Sequence, residues 1–377
     1  VKRLLFLITE DWYFCVHWLP LAVAARDAGY DVNVACRVEA HGQKIDGTGI
    51  GLHPLRRFSR RTGNPLRELG AIHEISELYR RLRPDLVHHI ALKSVVYGSI
   101  AARRTGMSAV VNLIAGLGYV FSSPDLKARV VRPVMEASLR ILLDRDCARL
   151  VTQNLDDLNF FVNEGLVHPS RATVVSGAGV DLHKFSASAE PEGTPLVVLP
   201  ARMLRDKGVE EFVEASRRLR GSGIQARFAL VGAPDGDNPA GIPEQQLRAW
   251  RDEGVVEWWG WRDDMAAVYR QCAIVCLPSW REGLPTSLAE AAASARPIVT
   301  CDVPGCREVV SHGDNGLLVP PRDATALASA LALLLADKDL RRTYGAASRL
   351  RAVEFSVPVV TSKMLAVYHS LESGRPV

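Results

Sequence analysis

The residues best equipped for chemistry lie in one stretch, Pro278-Ser-Trp-Arg-Glu282-Gly283-Leu284-Pro285-Thr286-Ser287-Leu288-Ala-Glu290. An apolar run, Ala273 to Leu277, leads into it and a small, alanine-rich helical pattern follows. The stretch therefore reads as strand, tight turn and helix. Pro285 falls in the helix's first turn, where its missing N–H removes no helical bond. The backbone N–H groups of such a turn, at the positive end of a helix dipole, favour an anion. Glu282 and Glu290 bracket that site. A carboxylate beside an anion site must do other work, and accepting hydrogen bonds from sugar hydroxyls is the obvious use. A second group, Pro200-Ala-Arg202-Met-Leu-Arg205-Asp-Lys207-Gly208, follows another apolar run. Arg202 and Lys207 stand there at a strand end, where fixed cations stabilise charge growing on an anionic leaving group.

The elements that must position these residues repeat along the chain. In the first half, apolar runs at Leu4–Thr9, Asp31–Cys36, Asp85–Ile90, Ala109–Ile114 and Arg149–Gln153 predict strands. Helical patterns fall at His17–Ala28, Pro65–Leu82, Ser94–Arg104 and Leu126–Leu142. After a Ser-, Ala-, Glu- and Pro-rich stretch between Leu182 and Pro195, read as an exposed linker, a second series begins. Its strands are predicted at Leu196–Ala201, Arg227–Val231, Val255–Gly260, Ile274–Leu277, Ile298–Cys301 and Leu317–Val319, with five helices among and after them. Repeated βα units imply parallel sheets covered on both faces. No strand is followed by GxGxxG, so the usual dinucleotide fingerprint is absent. The simplest architecture is α/β, with two Rossmann-like domains facing a central cleft: 1–182, 195–355, and a terminal helix, 356–377.

Composition narrows the class. At 377 residues, 47% hydrophobic and 23% charged, the chain fits a two-domain globular enzyme. No run approaches about 18 apolar residues, and the apolar N-terminus meets Glu10 and Asp11 too early for a signal peptide. Seven scattered cysteines without CxxC spacing imply a reduced, cytosolic chain and no metal site. Residues 1–185 carry a net +6 and residues 186–377 a net −2. A basic first half suits an anionic partner such as a lipid diphosphate or a membrane surface.

The string Pro-Ser-x-x-Glu-Gly-Leu-Pro-x-Ser-Leu-x-Glu-Ala, with Glu282 and Glu290 eight apart, resembles the EX7E signature of the retaining GT-B glycosyltransferases of family 4. Arg202-x4-Lys207-Gly208 is similar to the Arg-x4-Lys-Gly of the same family. The resemblance covers nearly the whole chain, and its implications are specific. Arg202 and Lys207 would hold the diphosphate of a nucleotide-sugar donor, expected to be a UDP-sugar, with no metal or other cofactor required. Glu290 would accept the ribose hydroxyls and Glu282 those of the transferred sugar. The backbone of Gly283 and Leu284, with Thr286 and Ser287, would meet phosphate or sugar oxygens. Gly232, Trp261 and Arg262 would lie around the base.

In the first domain, Asp85-Leu-Val-His88-His89-Ile-Ala-Leu-Lys93 is similar to the family's Asp-x-Val-His-x-His but departs from it, with Ile90 where the second His often lies. His88 or His89 would contact the donor sugar at the reaction centre. Lys93 and Tyr97 would meet the acceptor's phosphate. Gly116-Leu-Gly118-Tyr119-Val-Phe and His17 resemble the subgroup related to capsule and O-antigen sugar transferases, placing these residues on the acceptor side together with the loop Thr9 to Trp12. Ser176 to Asp181 would form a hinge.

The implied activity is transfer of a hexose or N-acetylhexosamine to a polyprenyl-diphosphate-linked glycan. The protein would sit peripherally on the inner, cytoplasmic face of the membrane, without a nucleic-acid partner. Arg56, Arg57, Arg60 and Arg61, and the helix 126–145 with its arginines, would face an anionic membrane surface. The alternatives are a soluble acceptor, a UDP-sugar epimerase and a non-catalytic nucleotide-sugar binder. The intact set Arg202, Lys207, Glu282 and Glu290 argues against the last. The sequence leaves the donor sugar, linkage and acceptor open.

Overall fold

The computed structural model describes residues 1–60, 64–116, 121, 126–236 and 238–373, side chains of 126–128 apart. The chain divides into two compact units, Val1–Gly179 with Val357–Val377, and Val180–Ser356. Both are parallel sheets flanked by helices, as apolar strand runs separated by amphipathic helices demand.

In the first unit the strands are β1 (Arg3–Glu10), β2 (Asp31–Arg37), β3 (Gly51–Pro54), β4 (Leu86–Ile90), β5 (Val110–Ile114), β6 (Ala148–Thr152) and β7 (Ala172–Val174). Their order is β3-β2-β1-β4-β5-β6-β7. Alternation along β1 sends Leu4, Phe6 and Ile8 to one face, where Phe14, Trp18 and the C-terminal helix residues Met364 and Tyr368 bury them. Leu5 and Leu7 turn to the other face and pack with Phe58, Ile75 and Tyr79. Helix Val357–Ser373 thus belongs to the first unit's core, and Glu372 ties it to Lys2 at 2.9 Å and to the Tyr30 hydroxyl at 3.1 Å.

The second unit contains β8 (Leu196–Pro200), β9 (Arg227–Val231), β10 (Glu257–Gly260), β11 (Ile274–Leu277), β12 (Ile298–Cys301) and β13 (Gly316–Val319), in the order β10-β9-β8-β11-β12-β13. In each sheet the order reverses direction beside its first strand. Ligands of open α/β sheets bind at that switch, outside the carboxyl ends of the strands. The switch lies between β1 and β4 in the first unit and between β8 and β11 in the second.

Several local expectations need correction. The edge strands β3 and β7, of four and three residues, carry too little periodicity to stand out in the sequence. Helix Lys338–Arg351 was not expected, because its charged sequence hides the face that buries Tyr344 and Ser348. The first helix does not begin regularly at His17. A π-helical turn spans Phe14–Trp18, and the α-helix runs from Leu19 to Asp27. The stretch read as an exposed linker is largely exposed but is also strapped to the second unit. Phe185 is buried in its core, Arg341 grips Glu190 through two guanidinium nitrogens at 2.6 and 2.9 Å, and the buried Arg296 donates to Ser188 Oγ at 2.5 Å. Buried guanidinium groups need such partners, since an uncompensated one is strongly destabilising.

Candidate functional site

At the β8–β11 switch the two chemistry-bearing stretches meet. Arg202 leaves β8, and a short 3-10 turn, Arg205–Lys207, follows. Gly208 then turns at φ +70°, and a Cβ there would lie 2.1 Å from the Pro278 carbonyl oxygen just beyond β11. Only glycine allows that approach. The Asp206 carbonyl accepts from the Trp280 N–H at 2.9 Å and from Ser279 Oγ at 3.0 Å. The Trp280 indole donates to Glu211 at 3.1 Å, and the Arg322 guanidinium lies 4.0 Å from its ring centroid. This framework brings Lys207 Nζ to 2.5 Å from Glu282 Oε1, a pair with side chains 19% and 12% exposed.

Glu290 lies about one turn along helix Thr286–Ala293. Its Oε2 accepts from the buried Tyr269 hydroxyl at 3.0 Å, and that hydroxyl also reaches the Ser287 carbonyl at 3.1 Å. Burial pushes the Glu290 carboxyl up to about 7, against the opposing pull of the Tyr269 hydroxyl and the Lys184 charge. Arg202, at the β8 end, pairs with Asp235 at 2.8 Å and stays half-exposed. Gly283, Leu284, Thr286 and Ser287 form the turn and first helical residues between the two glutamates.

Gly232 follows β9, and a Cβ there would collide with the Ala201 carbonyl oxygen at 1.8 Å. Its own carbonyl accepts from the Trp258 indole at 3.1 Å. Trp261 is 66% exposed, and Arg262 beside it pairs with Asp264. Among the described residues, no cluster of three or more His, Cys, Asp or Glu is arranged to hold a metal ion.

In the first unit the expectations fare differently. His88 and His89 do not emerge at a strand end. Both lie within β4 with no exposed surface. His88 Nδ1 meets the Tyr368 hydroxyl at 2.7 Å. On the opposite face, His89 meets Tyr79 at 2.9 Å and Asn112 at 2.8 Å. Burial holds both rings neutral, lowering them to about 3 and about 4. Alternation sends adjacent residues to opposite faces, so each His is sealed under its own layer of helices.

Lys93 and Tyr97 share one carboxylate, Glu68, at 3.1 and 2.8 Å. The Lys93 charge thus already faces a counter-ion. His17 lies in the last part of the π-helical turn, edge-on to Tyr13 with ring centroids 4.9 Å apart. Gly116 follows β5 at φ +112°, while Gly118 and Tyr119 lie outside the described residues.

One residue of the site region escaped the sequence reading. Tyr269 looks like an ordinary core aromatic until the fold brings it to Glu290, 21 positions on.

Two family models match the chain. Residues 3–154 match the glycosyl transferase 4-like model and residues 194–337 the glycosyl transferases group 1 model. The chain belongs to the family 4 GT-B glycosyltransferases. A Campylobacter jejuni protein named N,N'-diacetylbacillosaminyl-diphospho-undecaprenol alpha-1,3-N-acetylgalactosaminyltransferase is 28% identical over 363 residues, covering 93% of this chain and 94% of that one. An Escherichia coli protein named UDP-Gal:alpha-D-GlcNAc-diphosphoundecaprenol alpha-1,3-galactosyltransferase is 23% identical, with 73% and 72% covered. Among solved structures, sucrose-phosphate synthase from Thermosynechococcus elongatus superposes with a TM-score of 0.82 at 19% identity, covering 99% of this glycosyltransferase and all of that chain. Anabaena HepE, in complex with UDP and glucose, gives 0.80 at 18% identity, with 98% and 100% covered. At these identities the structures establish the GT-B fold of two Rossmann-like units.

Proposed function

We propose that this glycosyltransferase moves a hexose or N-acetylhexosamine from a UDP-sugar to a polyprenyl-diphosphate-linked saccharide, with retention of configuration. The observation that carries the reading is the Lys207–Glu282 pair at the switch point of the second sheet. It joins a cation for the leaving diphosphate to a carboxylate for sugar hydroxyls. The names of the two relatives support the acceptor class, since both specify a diphospho-undecaprenol saccharide and an alpha linkage.

In this reading Lys207 and Arg202 face the donor diphosphate, exchanging Glu282 and Asp235 for phosphate oxygens. Glu282 is then released to the hydroxyls of the transferred sugar, and Glu290 accepts from the ribose. Trp261, Arg262 and the Gly232 loop surround the base. As the C1–O bond to the diphosphate breaks, the acceptor oxygen attacks on the same face. Its proton passes to the departing phosphate oxygen, so no enzymic nucleophile is needed. The two cations and the N-terminal end of helix Thr286–Ala293 stabilise the growing charge without a divalent metal.

A lipid-linked acceptor requires work at a membrane surface, here its cytoplasmic face. Among the described residues no helix is long and apolar enough to cross a membrane. Helix Leu126–Leu143 instead leaves Val130, Val134 and Ile141 more than half exposed, with Arg129 and Arg140 also exposed. Apolar side chains with arginines beside them suit an anionic bilayer interface.

The test is a panel of UDP-, GDP- and ADP-sugars, scored for thermal shift and for nucleotide release with a polyprenyl-diphosphate sugar. Only UDP-sugars should support turnover. Lys207→Ala and Glu282→Ala should each lower it roughly 10²- to 10³-fold. Turnover at the wild-type rate in either variant would refute the assignment.

A further inference from the structure

Helix Met265–Gln271 turns Tyr269 inward, and the side chain is fully buried. Its ring meets Phe185 of the strap at a steep angle, with centroids 5.9 Å apart. Its carbonyl accepts the Nε–H of the buried Arg296 at 2.8 Å. Ring and backbone are therefore clamped, and the hydroxyl proton is what remains free to turn. That hydroxyl reaches two oxygens of helix Thr286–Ala293, the Ser287 carbonyl at 3.1 Å and Glu290 Oε2 at 3.0 Å.

A phenol has one proton, so it fully serves one of these acceptors at a time. The two differ in need. A carbonyl oxygen has two lone pairs, and in helix geometry the N–H four residues on takes one of those on Ser287. The Ser287 carbonyl therefore stays satisfied without Tyr269. Among the described residues, no other group donates a hydrogen bond to the Glu290 carboxylate. An ionised carboxylate loses more than a neutral carbonyl when left without a donor. The proton should thus point at Glu290 when that group is charged and at Ser287 when it is not.

The neighbours leave this task to Tyr269. Lys184, on the strap, is the one cation that pulls on the Glu290 carboxyl, and its pull is weaker than that of the Tyr269 hydroxyl. Arg296 donates to the Tyr269 carbonyl, and Arg349 donates to the carbonyls of Leu182, Phe185 and Ala293. Burial pushes the Cys272 thiol up to about 12, so it is neutral. Burial, with the Glu290 charge added, pushes the Tyr269 phenol well above its ordinary range. Tyr269 is a permanent donor that does not itself titrate.

We propose that Tyr269 is a positioning residue whose hydroxyl turns from the Ser287 carbonyl to Glu290, holding the carboxylate charged and oriented for the ribose hydroxyls of the donor. Tyr269 itself touches no ligand. This rests on the reading of Glu290 as the ribose acceptor and adds the group that makes that residue competent.

The experiment is calorimetry of the whole chain from pH 5 to 9, with Tyr269→Phe, which removes the hydroxyl and keeps the ring on Phe185. The hydroxyl pulls the carboxyl down, so its loss should send Glu290 above its present value of about 7. Without ligand, the variant should melt below the wild type, and the gap should be about 3 °C wider at pH 9 than at pH 5. With UDP as the probe, the variant should bind roughly 10-fold more weakly at pH 7 and within about threefold of wild type at pH 9. The ratio of the two proteins cancels the titration of UDP itself. Tyr269→fluorotyrosine keeps the hydroxyl and makes it a stronger donor, so it should move the fall in UDP affinity to lower pH than in the wild type. A loss in Tyr269→Phe that is equal at every pH marks a purely structural residue and overturns the proposal. So does a fluorotyrosine protein with the wild-type pH profile, a result that decides the matter even where Tyr269→Phe fails to fold. The ligand-free melting profiles read the coupling of Tyr269 to Glu290 without any nucleotide. Absence of UDP binding in the wild type would strike the parent reading alone, while those profiles still decide the coupling.

Discussion

Replacing Glu290 by Gln should stabilise the ligand-free protein at alkaline pH and weaken its hold on nucleotide. Burial raises the Glu290 carboxyl from an ordinary 4.5 to about 7. That displacement corresponds to roughly 3 kcal/mol. The sign follows from linkage. The folded state binds the proton more tightly than the unfolded chain, so this group's stabilising effect is fully present below 4.5 and is lost as pH rises through about 7. At pH 8 the ligand-free fold bears the whole penalty of an ionised, packed carboxylate. The residue keeps partial solvent contact although its carboxyl is deeply packed, so roughly 3 kcal/mol is an upper bound. Gln fills the same space, accepts the Tyr269 hydroxyl and does not titrate.

We expect Glu290→Gln to melt about 3–10 °C above the wild type at pH 8, taking roughly 1–3 kcal/mol and the usual scaling for a unit of this size. The two proteins should converge at pH 5. UDP should bind the variant roughly 10- to 100-fold more weakly, because the ribose hydroxyls lose a charged acceptor. Wild-type UDP affinity should itself fall as pH drops below about 7, approaching tenfold per unit. Scanning calorimetry at pH 5 and 8, with and without UDP, reads all of this. An equal shift in melting at both pH values, or unchanged UDP affinity, would refute the reasoning.

Two further outcomes follow from the packing. Gly208→Ala should lose about 2 kcal/mol or more and with it the Lys207–Glu282 geometry, since its Cβ would meet the Pro278 carbonyl oxygen at 2.1 Å; chemical denaturation of the variant checks this. Val130→Asp with Val134→Asp should abolish co-sedimentation with phosphatidylglycerol vesicles while leaving UDP binding intact, because both side chains are about two-thirds exposed and pack little in the free protein. Vesicle binding equal to wild type would remove helix Leu126–Leu143 from the membrane face.

What could be read without coordinates was whatever local periodicity and short spacing encode. The strand–turn–helix around Glu282 and Glu290 is one continuous segment, so its sequence carries nearly all of its geometry. Helix Pro65–Leu82 and strand Ile274–Leu277 were legible to the residue for the same reason. The meeting of Lys207 with Glu282, 75 positions apart, could be expected only from family resemblance. The fold achieves it because a parallel sheet places β8 beside β11 and Gly208 lets the two loops touch.

Where the reading failed, depth and partners were at issue. The pair His88-His89 looked like a strand end, yet pairing in register with β1 and β5 puts it in mid-sheet. The stretch 183–194 has the composition of a linker, but Arg296 and Arg341 come from distant sequence to bind it. A sequence specifies which side chains alternate and where helices cap. Which of them share an edge, lose their water or find a counter-ion is set by strand order and packing, and that arises only when the whole chain closes.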